Sequence, residues 1–262
     1  MKTIKKLTVL LTLPLGLVLA TTACSDDSTS AEEGCNIGLP SELLPVVLEN
    51  DYFEQQNIPH EEQYSTFKEV EAIATMGNSI FVAGGPFAVG MAFLQYAQLT
   101  GVQPEFDGST CTWTIEAPPG AVEDGEDVSV VVKGTPTGNG VQWEVEVSGT
   151  IDGQSISGFP IISGFTADDG STGEWTLRDV ESGAEVAVYD WNITAEDQFE
   201  LSLNTLDGAS VDYNRDGSEN YVIYTDPDYS VQAYWNESTH SGWIEDQQGR
   251  RCYENFENAA CS

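Results

Sequence analysis

From Thr110 to the carboxyl terminus, apolar residues recur at every second position, a period that points to antiparallel β-sheet with one face dry and the other wet. The clearest run is 141–148, where Val141, Trp143, Val145 and Val147 alternate with Gln142, Glu144, Glu146 and Ser148. Residues 111–116 and 199–204 alternate in the same way. Segments 128–132, 174–178, 186–193, 221–224 and 231–235 are rich in β-branched and aromatic residues. Asp-Gly occurs at 107–108, 124–125, 152–153, 169–170, 207–208 and 216–217, and Asn139-Gly140 adds a further signal. These dipeptides accept the positive φ of tight hairpin turns. No helix-period segment separates the runs, so no parallel crossover is required. The expected fold is mainly β with a small α part. It is an antiparallel up-and-down meander of about eight to eleven strands, forming an open curved sheet or a barrel.

Residues 36–105 form a helical and irregular amino-terminal segment, and 106–262 the meander domain. Phe67, Val70, Ile73 and Ala74 recur at helical steps within 64–76, and Gly77-Asn78 is expected to end that helix. Residues 80–99 carry no charge, but Gly84-Gly85-Pro86 interrupts them. The unbroken piece, 87–99, is too short to cross a bilayer and is expected to be buried against the sheet. One or two amino-terminal helices therefore pack on the meander.

Residues 1–23 have the form of an export signal. Lys2, Lys5 and Lys6 precede an uncharged apolar stretch from Leu7 to Ala20, and Thr21-Thr22-Ala23 leads to Cys24. Small residues before a lone Cys after such a core resemble the lipobox of bacterial lipoproteins. The resemblance implies cleavage before Cys24, acylation of that residue, and attachment to the cell envelope. In a cell with two membranes, Ser25 resembles the residue that directs lipoproteins to the outer one. Thr21 stands where that family usually has Leu, and an ordinary secretory cut after Ala20 or Ala23 is the alternative. Residues 24–35 then form a flexible acidic tether, with no apolar side chain larger than Ala between Ser25 and Gly34.

Without the signal lysines, six basic residues face 43 acids, a net charge of −37. A phosphate backbone is repelled by such a surface, which argues against nucleic acid as a partner. High salt and divalent cations both suit this charge, and composition does not separate them.

Export to an oxidising compartment makes the even set Cys35, Cys111, Cys252 and Cys261 a pair of disulfides with three possible connectivities. Cys35–Cys111 and Cys252–Cys261 are the expected pairs.

Asp212, Asn214 and Asp216 occupy positions one, three and five of an EF-hand-like stretch, with Gly217 at six and Ser218 at seven. Ca2+ is the one cofactor this suggests. Position twelve is Ile223 rather than Glu, and a hairpin turned at Asp216-Gly217 is the competing reading. His60 and His240 belong to no nucleophile, zinc or phosphate motif. Of the six tryptophans, Trp113, Trp143 and Trp175 share the apolar parity of their strands. Trp235 and Trp243 are the better candidates for a sugar-stacking surface, although core is the expectation for both.

These features imply a membrane-anchored, extracytoplasmic binding or scaffolding protein without catalysis, its partner a glycan or an envelope protein. One alternative is a lipocalin-like carrier enclosing a small hydrophobic ligand. Another is an envelope or polysaccharide hydrolase with paired carboxylates.

Overall fold

The computed structural model describes residues 35–40, 51–54, 65–83, 96–116, 128–151 and 154–261. Helices α1 (Asp51–Glu54) and α2 (Thr66–Ala83) and a short helical stretch at 96–100 precede the sheet among the described residues. The strands are β1 (Glu105–Phe106), β2 (Cys111–Glu116), β3 (Val128–Pro136), β4 (Gly140–Ile151), β5 (Gln154–Ala167), β6 (Thr172–Arg178) and β7 (Glu185–Ala195). They continue as β8 (Gln198–Thr205), β9 (Ser210–Asp216), β10 (Glu219–Asp226), β11 (Tyr229–Asn236), β12 (Ser241–Asp246), β13 (Gly249–Glu254) and β14 (Glu257–Ala259). All fourteen pair in sequence order in one open antiparallel sheet, so the meander is the observed topology. Residues 1–23, read above as an export signal, Cys24, most of the expected tether at 24–35 and His60 lie outside the described residues.

The four Asp-Gly dipeptides among the described residues all turn as their chemistry predicts. Gly108, Gly170, Gly208 and Gly217 have φ of 97°, 71°, 90° and 63°. At three of these turns, Asp107, Asp169 and Asp207 accept backbone N–H bonds from Ser109, Ser171 and Ala209. Asn139-Gly140 differs, because neither residue has positive φ. Gly140 instead lies at the start of β4, where a β-carbon would come within 2.6 Å of the Phe165 ring.

Six strands go beyond the runs predicted from alternation. In β5, Val145 pairs with Ile162 and Glu146 with Pro160, leaving Ile161 as the extra residue of a bulge. The bulge accommodates a proline, which cannot donate to the ladder, and Ile161 and Ile162 are both buried beside it. This breaks the parity and hides the strand from a period-two reading. The helix also differs from expectation. It runs through Gly77-Asn78 to Ala83, because one interior glycine costs only about 1 kcal/mol, and it ends just before Gly84-Gly85-Pro86.

One face of the sheet holds the core. A single transverse row pairs Cys111, Gly134, Trp143, Gly164, Trp175, Tyr189, Leu203 and Val211 across β2 to β9. From Gly134 to Trp175 glycines and rings take turns in this row, and the rings fill the space that the missing side chains leave. A β-carbon at Gly134 would lie 2.6 Å from Trp143, and one at Gly164 2.5 Å from Trp175. Gly173 faces Trp191 across β6 and β7 in the same way, at 2.1 Å.

The amino-terminal segment covers this face. Ile37 packs over Gly134, and the Cys35–Cys111 disulfide pins it to β2. Helix α2 lies across β10 to β14, with Phe67, Val70 and Ala74 fully buried. Phe67 meets Tyr253 and Phe256 edge-on at 5.3 and 5.2 Å. Asn258 of β14 accepts the Thr66 N–H at the buried start of the helix. Arg251 donates to Glu69 of α2 at 2.9 Å and to both oxygens of Asp246 at 3.1 and 3.0 Å. The uncharged 87–99 segment is described only from residue 96; it is helical there, with Ala97 buried but Leu99 76% exposed, so the expected burial holds only in part.

The second predicted disulfide, Cys252–Cys261, ties the chain after β14 back to β13. No helix among the described residues is long and apolar enough to cross a membrane.

Gly173→Ala is expected to lower the unfolding free energy by about 1–3 kcal/mol in urea titration, because Trp191 must leave its position. Gly138→Ala, with nothing within 4 Å of the new carbon, is the near-neutral control. Arg251→Gln removes the link between α2 and the sheet at a cost of about 1–2 kcal/mol. Hydrogen exchange in α2 should rise more than in β3 and β4; an equal rise in both would refute this docking role.

Candidate functional site

The wet face is less uniform than the sequence suggests. Asn192, Glu200 and Asn214 form one transverse row over β7, β8 and β9, and the same row continues as Tyr221, Tyr234 and Trp243 over β10, β11 and β12. Its first half lines a groove of about 230 Å³, together with Thr194, Gln198, Phe199, Arg215 and Asp216. Cross-strand bonds shape the floor. Asn214 donates to Glu200 at 3.2 Å, and Gln198 donates to Asp216 at 2.7 Å.

In the second half, the three aromatic rings gather on the wet side of the sheet and are half-buried against each other. Tyr234 stacks near Trp243 at 5.9 Å, and Tyr221 meets Trp243 edge-on at 5.8 Å. The Tyr221 hydroxyl donates to Gln232 at 2.6 Å. Partial burial raises the pKa of both tyrosines above the ordinary phenol value. The Arg250 guanidinium sits 4.1 Å above the Trp243 ring, with Glu245 bound to it at 2.6 Å.

Behind the groove, a polar network closes the end of the core. The Tyr213 hydroxyl donates to buried Asn220 at 2.6 Å, and Asn220 donates to Glu237 at 3.1 Å. Arg215 reaches Glu237 at 3.6 Å and donates to the Gly217 carbonyl at 3.2 Å. Nearby, Tyr52 lies parallel to His240, and burial pushes its pKa up to about 12. His240 has φ of 52° at the end of the β11–β12 turn and packs on Phe256 at 4.8 Å. These contacts give the histidine a packing role in the turn where the sequence places it.

The EF-hand-like residues are not gathered around a point. Asp212, Asn214 and Asp216 lie along strand β9, where a rise of about 3.3 Å per residue sets the first and last roughly 13 Å apart. Ser218 sits in the following turn and bonds to Asn236 and Ser238. The hairpin at Asp216-Gly217 is the arrangement observed. Among the described residues, no group of three or more His, Cys, Asp and Glu is placed to hold a metal ion.

The tryptophans divide by face. Trp113, Trp143, Trp175, Trp191 and Trp235 belong to the core, each 5% exposed or less. Trp243 is on the wet face, contrary to the expectation of core. Tyr221 and Tyr234 were the residues that alternation missed. Both parities of 219–226 carry large apolar or aromatic residues, so the sequence does not say which face is dry. Their pairing with Trp243 emerges only from the register.

Carboxylates are crowded elsewhere on the wet face. Asp190 pairs with Glu174 on β6, and Asp212 lies beyond Ser202 on the other side. Partial burial, then Glu174 and Asp212, raises the Asp190 pKa. The ionised form is therefore disfavoured in the fold, and stability is gained as pH falls through that raised value. Asp190→Asn should raise Tm at pH 7 in low salt. The gain should shrink in 0.5 M salt, and again at low pH where the wild-type group is neutral.

No protein-family model, curated protein or solved structure matches this chain.

Proposed function

We propose that this is an exported lipoprotein of the bacterial cell envelope, anchored through Cys24 and acting by binding rather than catalysis. In a two-membrane cell it is carried to the outer membrane. The observation that carries the reading is the division of labour between the faces of the sheet. The apolar face is filled by its own rings and by the amino-terminal segment, while the groove and the half-buried aromatics Tyr221, Tyr234 and Trp243 lie on the other face. Filling of that face with the chain's own side chains weighs against a carrier that encloses a hydrophobic ligand. The export reading is also supported by both disulfides, which suit an oxidising compartment.

Palmitate-analogue labelling of cells expressing the full chain tests the anchor. The wild type should be labelled and partition with detergent. Cys24→Ala should lose the label and move to the aqueous phase. Labelling that survives the substitution, or a wild type recovered wholly in the aqueous phase, would overturn the anchored assignment.

A further inference from the structure

We propose that the row from Asn192 to Trp243 is a glycan-binding site for an extended oligosaccharide without acidic groups, a reading that rests on the binding function above and names its ligand. Two independent features meet in this row. One is a groove whose lining is rich in amides, carboxylates and a guanidinium. The other is a half-exposed cluster of three rings. The register places them in line across six neighbouring strands, a span of about 24 Å at roughly 4.8 Å per strand.

Each half offers what a sugar needs. Amide and carboxylate groups donate and accept in pairs, matching adjacent hydroxyls that do both. Tyrosine and tryptophan present an apolar ring to the C–H face of a pyranose while keeping a polar edge for water. The groove provides the first, through Asn192, Gln198, Glu200 and Asn214; in the ring cluster Arg250 covers one face of Trp243, and Tyr221 and Tyr234 provide the second.

Charge narrows the ligand. The mature chain carries −37, and Glu200, Asp216 and Glu245 lie in or beside the row. Arg250, the cation at the aromatic end, is already bound to Glu245. A uronate or sulfated chain would be repelled, whereas a neutral or amino sugar would not. The same carboxylates disfavour a protein partner, because a close protein interface would strip their water. A sugar chain leaves their outer edges solvated.

The test is isothermal titration of the complete mature chain, made with Cys24→Ser for solubility, against cellohexaose, xylohexaose, chitohexaose and an oligogalacturonate. At least one of the first three should bind, and the acidic oligomer should not. Asn214→Ala, at an exposed position, and Tyr234→Ala should each weaken that binding at least about tenfold. Asn204→Ala, on the same face but off the row, should leave it unchanged. Asn214→Ala guards against the chance that Tyr234→Ala unfolds the sheet. Binding of none of the three, equal binding by Asn214→Ala, or preference for the galacturonate would each overturn the site. New reducing ends released from a bound oligomer, and lost in Glu200→Gln, would uphold the site but overturn the non-catalytic reading. The two failures are thereby distinguishable.

Discussion

A sheet in which every strand pairs with its sequence neighbours has no second sheet to pack against. Its apolar face must be hidden by the rings it carries and by whatever chain precedes it. Here the large side chains face glycines across the ladder. Trp143 therefore lies over Gly134, Trp175 over Gly164 and Trp191 over Gly173, at distances no other residue would permit. Such pairs let bulky rings lie flat on the sheet and exclude water from backbone that lacks side chains. Each adjacent pair constrains the next, so the core is continuous from β2 to β13. The remaining openings are closed by Ile37 and the first disulfide at one end and by α2 at the other.

Most of this was legible in the alternation, because a one-face core imposes a period of two on every strand it includes. The turns were legible for a separate reason, since Asp-Gly meets both the positive φ and the side-chain acceptor a tight turn needs. What escaped was local. The bulge beside Pro160 breaks parity in β5, and β9 imitates the first half of a calcium loop while serving as an ordinary strand. The wet-face row escaped for a stronger reason. Asn192, Glu200, Asn214, Tyr221, Tyr234 and Trp243 are spread over 52 positions, and only pairing register brings them into line. Trp243 could be flagged one strand at a time, but the other five could not.

The basic residues are as informative as the acids. All six basic residues beyond position 23 are ion-paired: Lys68 meets Glu71 within α2, while the other five join elements, Arg178 meeting Glu185 across β6 and β7. Lys133 pairs with Glu144 and Glu146, Arg215 with Glu237, Arg250 with Glu245, and Arg251 with Glu69 and Asp246. Apart from Lys68, so few cations among so many carboxylates are placed where elements must be joined or an end of the core closed. The other acids far outnumber these cations, an excess that favours solubility and rejects anionic ligands.

The Cys35–Cys111 bond has a mechanical consequence. Any tension applied at the amino terminus passes from Cys35 directly into β2 and bypasses the 75 residues between the two cysteines. The segment that covers the core is thus unloaded while the sulfur bridge is intact. Once it is reduced, the same pull is borne by that segment, and the cover would be drawn off the sheet before any strand is peeled.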